Sequence, residues 1–260
     1  MKKERLDKIL VTRGLAQSRE RAKALIMTGN VLVNNQPVDK SGALVFMDAP
    51  IEIRGEDIPY VSRGGIKLEA AIQAFETDVH DLECLDIGAS TGGFTDCLLQ
   101  HGARKVYAVD VGYGQLAWKL RQDPRVVAIE RTNIRHLPGN AIPAPVDLVT
   151  IDVSFISLRI VVPTALKFLK TPATILALVK PQFEVGKGLV GKGGVVRNPE
   201  HHKTVIQELT DFFNSQNLTF LGIIPSPVLG PKGNREFVVH LRNVGTSSGF
   251  KNGCSGINIS

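Results

Sequence analysis

Three cysteines stand in this chain, Cys84, Cys97 and Cys254, and no two of them share a Cys-x-x-Cys spacing. Thiols so few and so scattered argue against a disulfide framework and against a zinc site, and they suit a reducing cytoplasm. Long apolar runs are also missing. Thr174 to Val179 is about the longest, strand-sized and well short of the roughly 20 residues that a membrane-spanning helix needs. The basic start has no signal-type apolar core, because Asp7, Lys8 and Arg13 interrupt Leu6 to Leu15. Neither export nor a membrane site is expected, and no metal ligand set is found.

Charge, by contrast, is unevenly placed. The chain holds 31 basic and 25 acidic residues. Eight of the basic ones (Lys2, Lys3, Arg5, Lys8, Arg13, Arg19, Arg21, Lys23) fall in the first 30 positions, against three acids (Glu4, Asp7, Glu20). A polyanion is the natural partner of such a segment, although charge alone fits a solvated helix face equally well.

A length of 260 residues suits one large domain or two smaller ones, and the pattern favours two. Leu6, Ile9 and Leu10 follow helical spacing up to Gly14. Ser18 is placed to cap a second helix, with Ala22, Leu25 and Ile26 on one face and Gly29 at its end. Val31-Leu32-Val33 reads as a strand, Asn34-Asn35-Gln36-Pro37 as a turn and Ile51-Glu52-Ile53 as a closing strand. The expected organisation is a small α+β domain over 1–55, a linker over 56–62, an α/β domain over 63–243 and a disordered tail over 244–260. In the α/β part, strands are predicted near 84–87, 105–110, 126–130, 146–152, 173–179, 218–224 and 236–242. Helices are predicted near 65–76, 94–101, 113–121, 156–169 and 199–215. Such alternation predicts a mostly parallel, doubly wound sheet. The short gap between the last two strands predicts an antiparallel pair.

The most informative stretch is Asp86-Ile87-Gly88-Ala89-Ser90-Thr91-Gly92-Gly93-Phe94, with Asp110 closing the next strand. Glycines let the backbone approach a ligand closely, and a carboxylate at the next strand end can hold a ribose diol. The spacing Gly88-x-x-x-Gly92-Gly93 lacks the tight pyrophosphate turn of dinucleotide sites. An adenosyl ligand without phosphate, S-adenosylmethionine, is the candidate; an ordinary strand-to-helix turn is the alternative. Four further charges belong near the same sheet edge: Lys67, Asp152, Lys180 and Glu236. Each alone fits a surface charge at a strand end. Together, two lysines and two acids beside a methyl donor could take the proton from a hydroxyl during methylation, with the carboxylates orienting the base.

Two resemblances rest on these residues. Arg19-x-x-Ala22-x-x-Leu25-Ile26-x-x-Gly29-x-Val31, within residues 5 to 54, resembles the RNA-binding domain first named for ribosomal protein S-four. That likeness implies RNA contacts from Arg5, Lys8, Arg13, Arg19 and Lys23. Lys67, Asp152, Lys180 and Glu236, with Asp86 to Phe94, are similar to the Lys-Asp-Lys-Glu pattern of FtsJ-type ribose 2′-O-methyltransferases. The fusion of both parts resembles the TlyA family, some of whose members carry the name haemolysin. Tyr60 to Leu68, Val109 to Leu116, Glu130 to Asn133, Asp152 to Leu158, Lys180 to Glu184 and Gly230 to Phe237 carry that likeness. It implies S-adenosylmethionine-dependent 2′-O-methylation of cytidine in ribosomal RNA or a ribosomal subunit, with no obligate protein partner. It further implies that Asp86, Gly88, Ala89, Ser90, Thr91, Gly92, Gly93 and Phe94 surround the methionine part of the cofactor. Asp110 would meet the ribose, and Asn133 and Ile134 would lie near the adenine. Arg63, Lys187 and Lys192 complete the expected RNA contacts.

The rivals are judged on residues. Amine methylation would call for Asp/Asn-Pro-Pro-aromatic where Asp152-Val153-Ser154-Phe155 stands, and pyrimidine-carbon methylation would call for a Pro-Cys pair, which is missing. Gly186-x-x-x-x-Gly191-Lys192 nearly matches a P-loop, but Gly193 replaces the Ser or Thr that binds magnesium. Glu184 to Arg197 reads instead as a mobile basic loop closing over RNA, and His201-His202 as surface. A non-catalytic RNA-binding assembly factor stays open as an alternative, since fold does not fix function. A membrane-acting haemolysin has no segment to support it.

Overall fold

The computed structural model describes residues 2–16, 18–27, 29–54, 58–186, 188–191 and 193–245. Lys187, Lys192, Cys254 and all of the expected tail except residues 244 and 245 lie outside the described residues. The chain divides into two units, Met1–Arg63 and Gly64–Ser260.

The first unit runs β1 (Lys3–Arg5), α1 (Leu6–Thr12), α2 (Arg19–Met27), β2 (Val31–Val33), β3 (Gln36–Pro37), β4 (Leu44–Phe46) and β5 (Ile51–Ile53). Both helices bury the stripe their spacing implies: Leu6, Leu10, Ala22, Leu25 and Ile26 pack with Val31 and Val33. Ser18 caps α2 by accepting from the Arg21 amide at 3.1 Å. Asn34 and Asn35, both at positive φ, turn β2 directly into β3, so Gln36 and Pro37 are strand and not turn. β5 pairs with the other edge of β2, and β1 pairs with β4, a sheet not anticipated from the charged Lys3-Glu4-Arg5. Residues 58–63 belong to this unit, where Arg21 donates to the carbonyls of Ile58 and Tyr60.

The second unit runs α3 (Gly64–Ala74), β6 (Glu83–Ile87), α4 (Gly93–Gln100), β7 (Lys105–Val109), α5 (Trp118–Arg121), β8 (Val126–Ile129), β9 (Val146–Ile151), α6 (Leu158–Ala165), β10 (Leu169–Val179), α7 (Pro181–Glu184), α8 (Pro199–Ser215), β11 (Leu218–Pro225) and β12 (Phe237–Asn243). Its seven-stranded sheet has the order β11-β12-β10-β9-β6-β7-β8. The five strands from β10 to β8 are parallel, and β12 is antiparallel to both neighbours. Leu85, Ile87, Val149, Ile151, Ile175 and Ala177 are buried at its centre. From β6 the chain progresses one way through β7 and β8, then crosses back to β9 and β10 on the other side. The crevice at such a switch point, beyond the carboxyl ends of the strands, is where open α/β sheets bind ligands.

Two expectations need correction. Residues 113–121 are helical only over α5, because carboxylates take the backbone donors that a helix would use. Gly112 N–H donates to Asp110 Oδ1 at 2.6 Å and Gly114 N–H to Glu130 Oε1 at 2.9 Å, with Gly114 at φ +69°. The helix expected over 156–169 covers Leu158–Ala165 with a 3-10 turn after it. β10 then begins at Leu169, with a register shift before Thr174 in which Pro172 lies without an N–H to donate.

Candidate active site

The switch point is built from the ends of β6 and β9. Asp152 N–H donates to Ile87 carbonyl at 2.9 Å, which draws the two strand ends together. Gly88, at φ +87°, sits so close to this junction that a Cβ would stand 2.4 Å from the Asp152 carbonyl oxygen, so the position admits no side chain. The turn that follows is held from β7. Gly88 and Ala89 amides donate to Val109 carbonyl, and Ser90 amide donates to Asp110 Oδ2 at 2.8 Å. With Gly112 on its other oxygen, the Asp110 carboxylate is aimed by two backbone donors and stays partly exposed. Each carboxylate oxygen has a second lone pair free for a ligand hydroxyl. Thr91 carbonyl accepts from Ala117 amide, and Gly92 at φ +94° opens α4 at Gly93. Phe94 faces the core.

Asp86 differs from its neighbours. Its side chain is fully buried and accepts from Thr95 Oγ1 at 2.7 Å and Thr150 Oγ1 at 3.0 Å. Burial pushes its carboxyl up to about 7, with the two hydroxyls pulling the other way. It therefore does not reach the crevice as a cofactor contact; it ties β6, α4 and β9 beneath the glycine turn. The Ile134 side chain packs into the core. Asn133 is half-buried and caps a short 3-10 turn, accepting from Arg135 amide at 3.1 Å.

Lys67, Asp152, Lys180 and Glu236 arrive from four elements as two ion pairs. Lys67 on α3 donates to Glu236 Oε2 at 2.5 Å, and Lys180 Nζ lies 2.6 Å from Asp152 Oδ1. The latter is an ion pair by distance, without hydrogen-bond angles, since Oδ1 has no such partner. Lys180 also donates to Ser154 Oγ at 3.0 Å. Sheet register brings the pairs to one edge. Val179 is opposite Phe237 across the antiparallel β10–β12 ladder, which sets Lys180 beside Glu236. Ala177 is level with Ile151, so Asp152 follows on the same side. Lys67, Lys180 and Glu236 are all buried, and Glu236 Oε1 is buried with no hydrogen-bond partner among the described residues. Removing one member of such a pair strands the other charge, at a cost of about 3–5 kcal/mol.

An aromatic platform adjoins this edge, and sequence spacing does not single it out. Phe155 is 90% exposed, at φ +63°, with its ring centroid 5.0 Å from that of Phe183. With Arg135, Ile156, Ser157 and Ile160 they line a groove of about 530 Å³. A bulky residue in the left-handed region is strained, and such strain gathers at functional sites.

The loop after α7, expected to be mobile, is tied at Gly194 and Val196. Asn234, buried, accepts from Val196 amide at 3.1 Å and donates to Gly194 carbonyl at 3.0 Å. His202, expected on the surface, is buried, has Nε2 2.9 Å from Val196 carbonyl and packs edge-on against Phe237. Its partner arrives through the loop, not through sequence spacing.

In the first unit, much of the basic charge is already engaged. Arg5 donates twice to Asp7, at 3.0 and 2.9 Å, and Arg19 donates once, at 3.1 Å. Asp7 itself is fully buried, and Arg5 chiefly holds its carboxyl down to about 2. Arg13 spends its guanidinium on the carbonyls of Ala49 and Met47. Lys8 pairs loosely with Glu4 at 3.6 Å, Lys23 is exposed and Arg63 is half-buried.

Comparison with known proteins gives two family matches: FtsJ-like methyltransferase over residues 60–243 and the S4 domain over residues 4–45. YqxC of Bacillus subtilis is 50% identical, across 92% of this chain and 86% of that protein. A Mycobacterium tuberculosis protein named 16S/23S rRNA (cytidine-2′-O)-methyltransferase TlyA is 46% identical, across 93% of this chain and 90% of its own. A solved structure from Streptococcus thermophilus, described as a hemolysin, has a TM-score of 0.74 at 43% identity, covering 94% of this chain and 89% of that one. Among the described residues, no helix is long and apolar enough to cross a membrane.

Proposed function

Because the chain belongs to the FtsJ-like methyltransferase family and carries an S4 domain ahead of its catalytic unit, we propose that it transfers a methyl group from S-adenosylmethionine to the ribose 2′-hydroxyl of a cytidine in ribosomal RNA. The observation that carries this reading is the convergence of Lys67–Glu236 and Lys180–Asp152 on one sheet edge. The activity for which the 46% identical relative is named supports the choice of cytidine and of ribosomal RNA.

The residues fit the cofactor. Gly88 leaves the backbone bare where strand ends meet, and Asp110 is pre-aimed by Ser90 and Gly112. The turn from Gly88 to Gly93 would hold the methionine part, Asp110 the ribose, and Asn133 with the Ile134 backbone the adenine. When bound, the cofactor supplies an electrophilic methyl group on a sulfonium.

The protein's task is to hold the acceptor hydroxyl and receive its proton. Lys180 is the base in this reading. To act so it must be the neutral amine, with two N–H groups and one lone pair; the N–H groups face Ser154 Oγ and the Asp152 carboxylate, and the lone pair takes the proton of the ribose hydroxyl as its oxygen gains the methyl group, giving the ammonium. Lys67 supplies a buried cation, and Glu236 fixes it in place. Phe155 and Phe183 offer the nucleotide an aromatic face, worth about 1–3 kcal/mol for each stacked base. In the S4 unit, Lys8 and Lys23 can meet phosphates, which orients RNA without reading its sequence.

The test is tritiated methyl transfer to ribosomal subunits and free ribosomal RNA, followed by alkaline hydrolysis. Label in alkali-resistant dinucleotides containing cytidine is the expected result, because a 2′-O-methyl group blocks strand cleavage. Label in mononucleotides would move the reaction to a base. Binding without transfer would leave a non-catalytic RNA-binding factor. Lys180→Ala is expected to abolish transfer and keep RNA affinity.

A further inference from the structure

Two segments carry Asp152 and Lys180 at the sheet edge: 152–158, from the end of β9 to the first residue of α6, and 180–184, which comprises Lys180 and α7. They are joined at three levels. Lys180 meets Asp152 and Ser154, Phe183 meets Phe155, and Glu184 meets Ser157 and Leu158. The first two levels belong to the site as read above. The third is built around a carboxylate with no part in the proposed proton transfer.

The Glu184 side chain is 2% exposed. Its Oε2 accepts from Ser157 Oγ at 2.6 Å and its Oε1 from the Leu158 amide at 2.8 Å, with Arg159 Nη1 3.4 Å from Oε2. Arg159 also reaches Glu208 on α8 at 2.8 Å. Ser157 Oγ in turn accepts from Arg159 amide at 3.1 Å, so its hydroxyl proton is free for Glu184. Leu158 amide is among the first donors of α6, which have no partner within their own helix. A carboxylate from another element supplies that partner.

We infer that Glu184 is a positioning residue for methyl transfer: by clamping the start of α6 to the end of α7, it fixes the segment bearing Asp152 and Phe155 against the one bearing Lys180 and Phe183. The inference rests on the reading of Lys180 and Asp152 given above. Its geometry is direct. α7 is a single turn, closed by Phe183 N–H to Lys180 carbonyl and Val185 N–H to Pro181 carbonyl, both at 2.9 Å. Lys180 and Glu184 are therefore the two ends of one rigid piece. The opposing segment is pinned at one end by Asp152 N–H to Ile87 and at the other by Glu184. Between these pins lies Phe155 at its strained φ, a conformation that persists only where its surroundings over-determine it. The chemistry needs a carboxylate. Two oxygens accept from two donors at once, whereas a glutamine would turn an NH₂ toward one of them. An aspartate is one methylene too short to span both.

The test uses the full chain and three variants, Glu184→Gln, Glu184→Asp and Ser157→Ala, measuring kcat, KM for RNA, S-adenosylmethionine affinity by calorimetry and the thermal midpoint. Misplacement of reacting groups by about 1 Å costs on the order of 100-fold in rate. Glu184→Gln is expected to lose kcat on about that scale, with cofactor affinity held within about twofold. Ser157→Ala is expected to lose less, and the double variant Ser157→Ala/Glu184→Gln to be no slower than Glu184→Gln alone, because both changes break one contact. An unchanged kcat in Glu184→Gln would overturn the inference. So would a parallel fall of kcat, cofactor affinity and thermal midpoint, which marks a purely structural carboxylate. Should Glu184→Gln fail to fold, Ser157→Ala decides: full activity there sinks the clamp. A wild-type chain that transfers no methyl group would sink the functional reading itself, and this inference with it.

Discussion

The carboxylate of Glu236 fills the space in which Gly230 would carry a side chain. A Cβ on Gly230 would stand 2.0 Å from Glu236 Oε1 and 2.5 Å from its Cδ, so a larger residue there forces the carboxylate to move from its place against Lys67. Gly230→Ala is thus expected to break the Lys67–Glu236 pair without touching either charge. Transfer should fall by roughly 100-fold while S-adenosylmethionine affinity, read by calorimetry, stays within about twofold. Undiminished activity would mean that this pair is dispensable.

Phe155 makes opposite demands on stability and activity. A non-glycine residue at φ +63° costs on the order of 1 kcal/mol, and the 90% exposed ring returns little of it by burial. Phe155→Gly should raise the thermal midpoint by a few degrees, and Phe155→Ala should leave it nearly unchanged. Both should weaken RNA-dependent turnover by about 5- to 150-fold through the lost stacking face. A variant as active as wild type would remove the aromatic platform from the site.

Asp86 links stability to pH. Burial raises its folded value to about 7, against an ordinary value near 4 when unfolded. The folded chain keeps a proton that the unfolded chain releases. Stability from this group is therefore complete below about pH 4 and is lost as pH rises through about 7. Asp86→Asn should flatten the dependence of unfolding free energy on pH across that window, measured by urea titration at several pH values. Equal slopes for both proteins would show that the carboxyl titrates normally.

Asp7 runs the other way. Held down to about 2, it contributes stability that is complete above about pH 4 and lost as pH falls through about 2, on the order of 1–2 kcal/mol once the exposure of its arginine partners is allowed for. Asp7→Asn should destabilise the first unit by about that amount at pH 7, with the difference narrowing as pH drops below 4. Amide exchange of α1 and β2 would report it.

What was legible in the sequence follows how local each signal is. The sheet strands were readable because each is an apolar run bounded by turn residues, and the antiparallel last pair followed from the short gap before Phe237. The glycine turn and the four charges could be named because their neighbours are distinctive. Pairings between distant segments were not readable. β1 has no strand pattern and exists through β4; residues 113–117 look helical until Asp110 holds the Gly112 amide before them and Glu130 the Gly114 amide; His202 looks exposed until Val196 folds over it. Asp7 is the instructive case. It lies three residues before Leu10, on the buried stripe of α1, and a lone acid on such a stripe among arginines is a recognisable sign of a buried ion cluster.

The position of β12 has a consequence for how the chain comes into being. Lys67 enters early in the catalytic unit, and its counter-ion follows 169 residues later, at the start of the last strand. A chain emerging from its own ribosome carries that lysine without its counter-ion until residue 236 has been added. Without β12 between β10 and β11, Lys67 lacks Glu236 and β10 keeps an unpaired edge. In the reading proposed above, the last strand of the chain also completes the Lys67–Glu236 pair, so a product truncated before β12 is expected to be inactive instead of partly active.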